Sequence, residues 1–141
     1  MTADITLTIA APPSANRLYR MMRGHMAKSP VYRAWKDEQA NAIAHQLGGA
    51  GLDGYFRCSI VLPRSRQDLD NRAKPLLDAM QAGGAYRDDK LCMALNMVVD
   101  HQREPGTVLV HLWAEDAPPK PARKSKRLTM QAPVQPLSAA A

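Results

Sequence analysis

Aromatic residues are scarce in this sequence, which has one Phe, two Trp and four Tyr among its 141 residues. A core must therefore be built mainly from Leu, Val, Ile, Met and Ala, and a hydrophobic fraction of 45% is enough for one. No apolar run approaches the ~18 residues that a membrane-spanning helix needs. The N-terminus lacks a basic start followed by an apolar stretch. We therefore expect neither a membrane protein nor a secreted one.

Cysteine is equally rare, with only Cys58 and Cys92 in the chain. The two are isolated, and their spacing does not match a metal-binding pattern. We expect both to be buried, reduced thiols in a cytoplasmic protein, with a disulfide between them as the alternative.

Acidic residues are missing from two stretches of the chain. Residues 117–141 hold five of the 19 basic residues and none of the 13 acidic ones, so the other 116 residues are nearly neutral. A second stretch, residues 5–36, has six basic residues and no acidic one. A basic surface attracts the phosphate backbone of nucleic acids. Together with the acidic cluster described below, which can hold a metal ion, it is typical of a nuclease.

The chain length suits one domain, residues 1–116, followed by an Ala/Pro-rich basic tail, residues 117–141, that we expect to be disordered. Alternating apolar residues predict a first strand from Ile5. The stretch 14–28 has no clean period and predicts a loop. Ser29-Pro30 is a typical helix start and Gly48-Gly49 a typical stop, which predicts a helix over residues 30–47.

The second half of the domain predicts three strands and a helix. A strand is expected over residues 55–62 and a helix over residues 71–82, whose first turn should be irregular because of Pro75. The apolar run 91–99 predicts a central strand buried on both faces. It should form an antiparallel hairpin with a strand over residues 107–113. The predicted fold class is thus α/β (α+β): a mixed sheet of about four strands with two main helices, in the order β-α-β-α-β-β.

Four carboxylates and a lysine surround the predicted second helix: Asp68, Asp70, Lys74, Asp88 and Asp89. Asp68 and Asp70 share a side of an extended segment, and Asp70 and Lys74 are neighbours on a helical turn. Magnesium prefers such oxygen ligands, and a lysine nearby can stabilise charge on a phosphate. A structural interpretation is equally open, because Asp and Asn are ordinary caps and turn residues.

These motifs resemble the signature of the RusA family of Holliday-junction resolvases. The resemblance rests on Asp-Leu-Asp-Asn-x-x-Lys at residues 68–74, Leu-Asp-Ala-Met at residues 77–80 and Asp-Asp at residues 88–89. Upstream, Pro-Pro-Ser-Ala-Asn-Arg-Leu-Tyr-Arg at residues 12–20 is similar to that family's opening motif. The likeness covers roughly residues 5–115 and leaves out the tail.

The resemblance implies a homodimeric endodeoxyribonuclease that makes Mg²⁺-dependent paired nicks in opposing strands of four-way DNA junctions, with Mn²⁺ as a substitute metal. It implies that Asp68, Asp70 and Asp89 are catalytic metal ligands and that Lys74 is the essential lysine. Asp88 is the alternative to Asp89. The residues expected to contact DNA are Asn16, Arg17, Tyr19, Arg20, Arg23, Lys28, Asn71 and Arg72.

Two other functions are considered beside this one. A branched-DNA-binding protein without catalysis is disfavoured by the intact acids and Lys74, since a pure binder gains nothing from carboxylates that face phosphate. A metal-dependent RNA nuclease is compatible with the acidic cluster alone. The basic tail is either a non-specific DNA arm or a solvated extension.

Overall fold

A mixed sheet flanked by two helices accounts for most of the computed structural model, which describes residues 2–14, 19–22 and 24–122. Short 3₁₀ turns, Asp70–Arg72 and Asp89–Leu91, precede the second helix and the fifth strand. The elements in chain order are β1 (Ile5–Ala10), β2 (Tyr19–Met22), β3 (His25–Lys28), α1 (Pro30–Leu47), β4 (Phe56–Pro63), α2 (Ala73–Ala82), β5 (Cys92–Asp100) and β6 (Thr107–Ala114).

The four-stranded sheet has the order β1-β6-β4-β5. Strand β6 pairs antiparallel with both β1 and β4, whereas β4 and β5 are parallel. The predicted class, a mixed sheet of four strands with two main helices, is confirmed. The expected hairpin between the last two strands is wrong, because β6 lies between β1 and β4 and does not pair with β5.

Helix α1 has the bounds that its capping residues predict. The Ser29 side chain accepts a hydrogen bond from the Tyr32 amide (3.1 Å), and Gly48 ends the helix in the left-handed conformation. The helix also closes the outer edge of β1. Gln39 accepts from the Ala10 amide, Gln46 bonds both backbone groups of Thr8, and the Trp35 indole donates to the Ala10 carbonyl. This edge is therefore protected against further strand pairing.

Helix α2 follows directly from the 3₁₀ turn that begins at Asp70. The irregular first turn predicted from Pro75 is this 3₁₀ turn. Pro75 itself is the third residue of the α-helix, where its missing amide breaks little of the hydrogen-bond ladder. The buried residues Leu76, Ala79 and Met80 face the sheet and leave the opposite side of the helix exposed to ligands.

The core lies between the sheet and the helices. Its strand residues are the inward-facing positions of β1, β4 and β6, and the aromatic pair Phe56 and Tyr86 stacks within it at 4.3 Å between ring centroids. At Gly83 the two helices come so close that an added Cβ would lie 2.8 Å from the Ile43 side chain. This close approach holds α2 in place against α1.

Strand β5 is an edge strand, which corrects its prediction as a central one. Most of its residues are exposed, including Met93 at 50%, Leu95 at 41% and Val98 at 46%. An apolar run thus lies at the sheet's edge, and within the described residues no further strand pairs with it. Cys92 on this strand is half-buried and Cys58 on β4 is buried, and both are free thiols.

Strands β2 and β3 form a separate antiparallel hairpin. The predicted loop over residues 14–28 is therefore wrong for this part. Gly24, between the two strands, has a φ of 81°, a conformation that glycine adopts without strain. None of the helices in the described residues is both long and apolar enough to cross a membrane.

Candidate active site

A lysine held between two carboxylates marks the exposed side of α2. The Lys74 ammonium lies 3.1 Å from Asp78 Oδ1, one helical turn away, and 3.5 Å from Asp89 Oδ2, which precedes β5. Gln81, one turn further along α2, accepts a hydrogen bond from the Asp89 amide at 3.0 Å. The helix and the turn before β5 are thereby joined around the lysine.

The two neighbouring carboxylates favour the protonated form of Lys74. The hydrogen bond to Asp78 and the charge of Asp78 raise the pKa of Lys74, and Asp89 adds to that effect. The lysine is therefore a cation at neutral pH. Its side chain is 65% exposed, so the two ion pairs are screened by water and contribute little to stability. An ammonium has three donors, so two carboxylates leave one for a phosphate oxygen.

Asp88 and Asp89 have different surroundings, although they are adjacent. Asp88 caps the 3₁₀ turn by accepting a hydrogen bond from the Lys90 amide (2.9 Å), which lowers the pKa of the Asp88 carboxyl. Asp89 instead points to Lys74. This geometry favours Asp89 over Asp88 as the functional acid.

Asp68 and Asp70 are both exposed and lie before α2. Asp70 Oδ1 accepts a hydrogen bond from the Asn71 amide at 3.0 Å. Among the described residues, no three acidic, histidine or cysteine side chains form a group that could hold a metal ion. The fold therefore brings Asp89 to Lys74, whereas it does not gather Asp68, Asp70 and Asp89 into one ligand cluster.

Arg72 is buried, which corrects its prediction as a DNA contact. Only 5% of the residue is exposed, and its Nη1 donates a hydrogen bond to the Pro63 carbonyl at 2.8 Å. Burial lowers the pKa of its guanidinium. Arg72 thus ties the segment that carries Asp68 and Asp70 to the end of β4. Asn71 is exposed, and its DNA contact stays a prediction.

The other predicted DNA contacts lie wholly or partly outside the residues that the structure describes. Asn16, Arg17 and Arg23 lie outside the described residues. The side chains of Tyr19, Arg20 and Lys28 are also outside them, although their backbones belong to β2 and β3. Most of the basic tail, from residue 123 on, lies outside the described residues too.

An open cleft of about 560 Å³ surrounds the lysine. Its walls carry both signs of charge, with basic groups beside the carboxylates, and they include Lys36, Lys74, Asp78, Gln81, Arg87 and Asp89. The basic side chains of such a surface can bind a phosphate, and carboxylates line the same cleft. The cleft thus places cations that can bind a phosphate beside carboxylates.

Asp78 also pairs with Lys74 and lines this cleft, although it was not among the predicted site residues. It lies in the Leu-Asp-Ala-Met segment and also accepts a long hydrogen bond (3.4 Å) from the Tyr32 hydroxyl on α1. Its side chain is only 17% exposed. The signal was present in the sequence, since Lys74 and Asp78 are four residues apart on a helix.

The family model described as "Endodeoxyribonuclease RusA" matches residues 10–111, which include α2, Lys74, Asp78 and Asp89. The chain belongs to the RusA family. Its relatives include the crossover junction endodeoxyribonuclease RusA of Escherichia coli O139:H28 (strain E24377A / ETEC), which is 34% identical over 96 residues, 66% of this chain and 80% of the relative.

Two further RusA relatives are similar to this chain to about the same degree. The crossover junction endodeoxyribonuclease of Escherichia coli (strain K12) is 36% identical over 87 residues, covering 60% of this chain and 72% of the relative. That of Enterobacteria phage 82 is 36% identical over 86 residues, covering 59% and 72%. RusA proteins of bacterial and phage origin are thus comparably similar to this chain.

Proposed function

We propose that this RusA-family chain is a structure-selective endodeoxyribonuclease that resolves four-way DNA junctions by paired nicks in opposing strands. The observation that carries the proposal is Lys74, held between Asp78 and Asp89 in an open cleft of a chain with RusA relatives. Those relatives are named crossover junction endodeoxyribonucleases.

Lys74 would donate to a non-bridging oxygen of the scissile phosphate. Negative charge accumulates on the phosphate oxygens in the transition state, so a fixed ammonium stabilises that state more than the ground state. Asp78 would orient the ammonium through its 3.1 Å contact, and Gln81 would hold the Asp89 backbone in place. The segment tied down by Arg72 carries Asp68 and Asp70 and leads directly into α2.

The carboxylates also fit magnesium, or manganese in its place, by donor class. Magnesium is commonly held by one or two carboxylates together with waters and substrate phosphates, so a preformed three-acid cage is not required. Asp89 would hold the ion, and Asp68 and Asp70, which the described structure does not gather with it, would have to approach Asp89 when metal and DNA bind. When bound, it would supply an activated water and neutralise charge on the phosphate.

A homodimer follows from the same proposal. A four-way junction has approximate two-fold symmetry, and a two-fold dimer would place identical sites on opposing strands. The β5 edge is the surface that supports it. This edge carries no charged residue from Cys92 to Val99 and exposes Leu95 and Val98, whereas the β1 edge is covered by α1 side chains.

One assay tests the proposal against its alternatives. Purified protein is incubated with a labelled four-way junction, a linear duplex or single-stranded RNA, in Mg²⁺ or in EDTA. We expect symmetric nicks in the junction only, lost in EDTA and in Asp70→Asn, while Asp70→Asn still binds the junction. Tight binding without any nick would favour a branched-DNA-binding protein. Cleavage of RNA but not of the junction would favour an RNA nuclease.

A further inference from the structure

Three arginines surround a hollow that none of the predicted site residues lines. The hollow has a volume of about 550 Å³ and is lined by Arg64, Ser65, Arg66, His101, Arg103 and Pro105. Two separate segments form it, one after β4 and the other in the turn between β5 and β6. Because β4 and β5 are parallel, their carboxyl ends lie at the same edge of the sheet.

The charge of this hollow has one sign. No acidic residue lines it, and in the part of the chain that the structure describes none of its arginines lies within ion-pairing distance of a carboxylate. Water screens the repulsion between these guanidinium groups, because Arg64 and Arg66 are exposed. The hollow nevertheless offers three cations and no carboxylate to an anionic ligand.

One of the arginines is also held in position. Arg103 is half-buried, and its Nε donates a hydrogen bond to the Thr107 carbonyl at 3.0 Å. This bond restrains the guanidinium, and within the described residues its terminal N–H groups have no hydrogen-bond partner, so they are available to a ligand. A planar fork of this kind matches two oxygens of a phosphate. Arg64 and Arg66 are exposed and would add charge around the same ligand.

We infer that this hollow binds a backbone phosphodiester of the DNA, away from the phosphate that is cut. The inference rests on the proposed nuclease function and adds a substrate contact to it. Arg66 is two residues before Asp68, so the hollow adjoins the segment that carries the acids. The contact is to backbone and not to bases, so it contributes affinity and alignment without sequence preference.

The test is a salt titration of binding to a labelled four-way junction by fluorescence anisotropy, in the Asp70→Asn background so that no DNA is cut. We expect Arg103→Gln to weaken binding about tenfold and to reduce the salt slope by about one for each phosphate that is no longer neutralised. Arg64→Gln should act in the same direction, and the Arg64 side chain makes no hydrogen bond to any other described residue that the change would remove. Arg103→Lys, which keeps the charge but not the fork, should fall between.

Arg57→Gln is the matched control. Arg57 begins the regular part of β4 at the other end of the strand, and Glu115 already balances its charge. An unchanged affinity and salt slope in both Arg103→Gln and Arg64→Gln would overturn the inference, as would an equal loss in Arg57→Gln. Calorimetric binding of inorganic phosphate that these variants abolish, without any change in DNA binding, would show a small-anion site instead and would also overturn it.

The two proposals fail in different ways. If the arginine variants lose affinity and salt slope but the parent protein never nicks a junction, the phosphate contact in the hollow is supported and the nuclease function is refuted. If the parent nicks junctions and the variants bind DNA as tightly as the parent, the nuclease function is supported and the phosphate contact is refuted.

Discussion

Replacing Arg72 with methionine removes the buried guanidinium and keeps most of the volume of its apolar stem. The 2.8 Å hydrogen bond to the Pro63 carbonyl is removed, and that carbonyl stays behind at a buried residue. A hydrogen bond to a charged group contributes roughly 1.5–3 kcal/mol. Part of this is offset, because the parent protein bears the cost of a buried charge whose Nε has no partner among the described residues. We expect a net loss of about 1–2 kcal/mol.

Thermal and urea denaturation followed by circular dichroism measure this loss. For a domain of this size it corresponds to a fall of roughly 4–8 °C in Tm, with an unchanged urea m-value. Arg66→Met is the control, since Arg66 is exposed in the same segment and its replacement should change stability by less than about 0.5 kcal/mol. An Arg72→Met protein that is as stable as the parent but binds DNA weakly would refute the structural role of the Arg72–Pro63 hydrogen bond. It would instead support the DNA contact predicted from the sequence.

The remaining predictions concern packing, thiols and assembly. Gly83→Ala should cost about 1–3 kcal/mol of unfolding free energy, because its Cβ would lie 2.8 Å from Ile43, whereas Gly54→Ala meets nothing within 4 Å and should be nearly neutral in the same denaturation assay. Burial raises the pKa of Cys58 to about 12, so a thiol reagent at pH 8 should label Cys92 and reach Cys58 only on unfolding; equal labelling rates would contradict this. The folded pKa of Cys58 lies above its ordinary value of 9.0, so the stability that its burial contributes is present below about pH 9 and is lost as the pH rises toward 12. Urea midpoints measured across that pH range would show the loss. Leu95→Lys on the exposed β5 edge should shift light scattering from dimer to monomer, while Val31→Lys, at a residue 51% exposed on α1, should not; a dimeric Leu95→Lys protein would exclude this edge as the interface.

Local signals predicted the elements well. The bounds of α1 follow from Ser29, Pro30 and Gly48, since caps act within one helical turn. The alternation in β1 and β6 likewise predicts which residues are buried, and Val108, Val110 and Leu112 are. These features depend on neighbours in the sequence, so a single chain is enough to find them.

Pairing between distant segments was harder to predict. The apolar run in β5 looks the same for a strand buried in the chain's own sheet and for an edge strand that a second molecule would cover. The β5–β6 hairpin was expected because the two strands are adjacent in sequence, yet β6 pairs with β1, about a hundred residues away. The hairpin of β2 and β3 was missed because its Arg- and Met-rich sequence has no apolar alternation.

The candidate site shows the same division. Lys74 and Asp89 were predicted, and the fold brings them together. Asp78 was overlooked although its spacing from Lys74 indicates an ion pair on a helix. Arg72 was predicted to contact DNA, whereas in the structure its buried guanidinium donates a hydrogen bond to the Pro63 carbonyl at the end of β4.

The central claim is that Lys74, between Asp78 and Asp89, is the catalytic lysine of a junction endonuclease. Lys36 lines the same cleft, so it provides a matched control. The decisive measurement is the single-turnover nicking rate of a saturating four-way junction in Mg²⁺. We predict that Lys74→Met lowers this rate about 10²–10³-fold with little change in junction affinity, and that Lys36→Met lowers it only a few-fold. A Lys74→Met protein that nicks as fast as the parent, or an equal loss in Lys36→Met, would contradict the account.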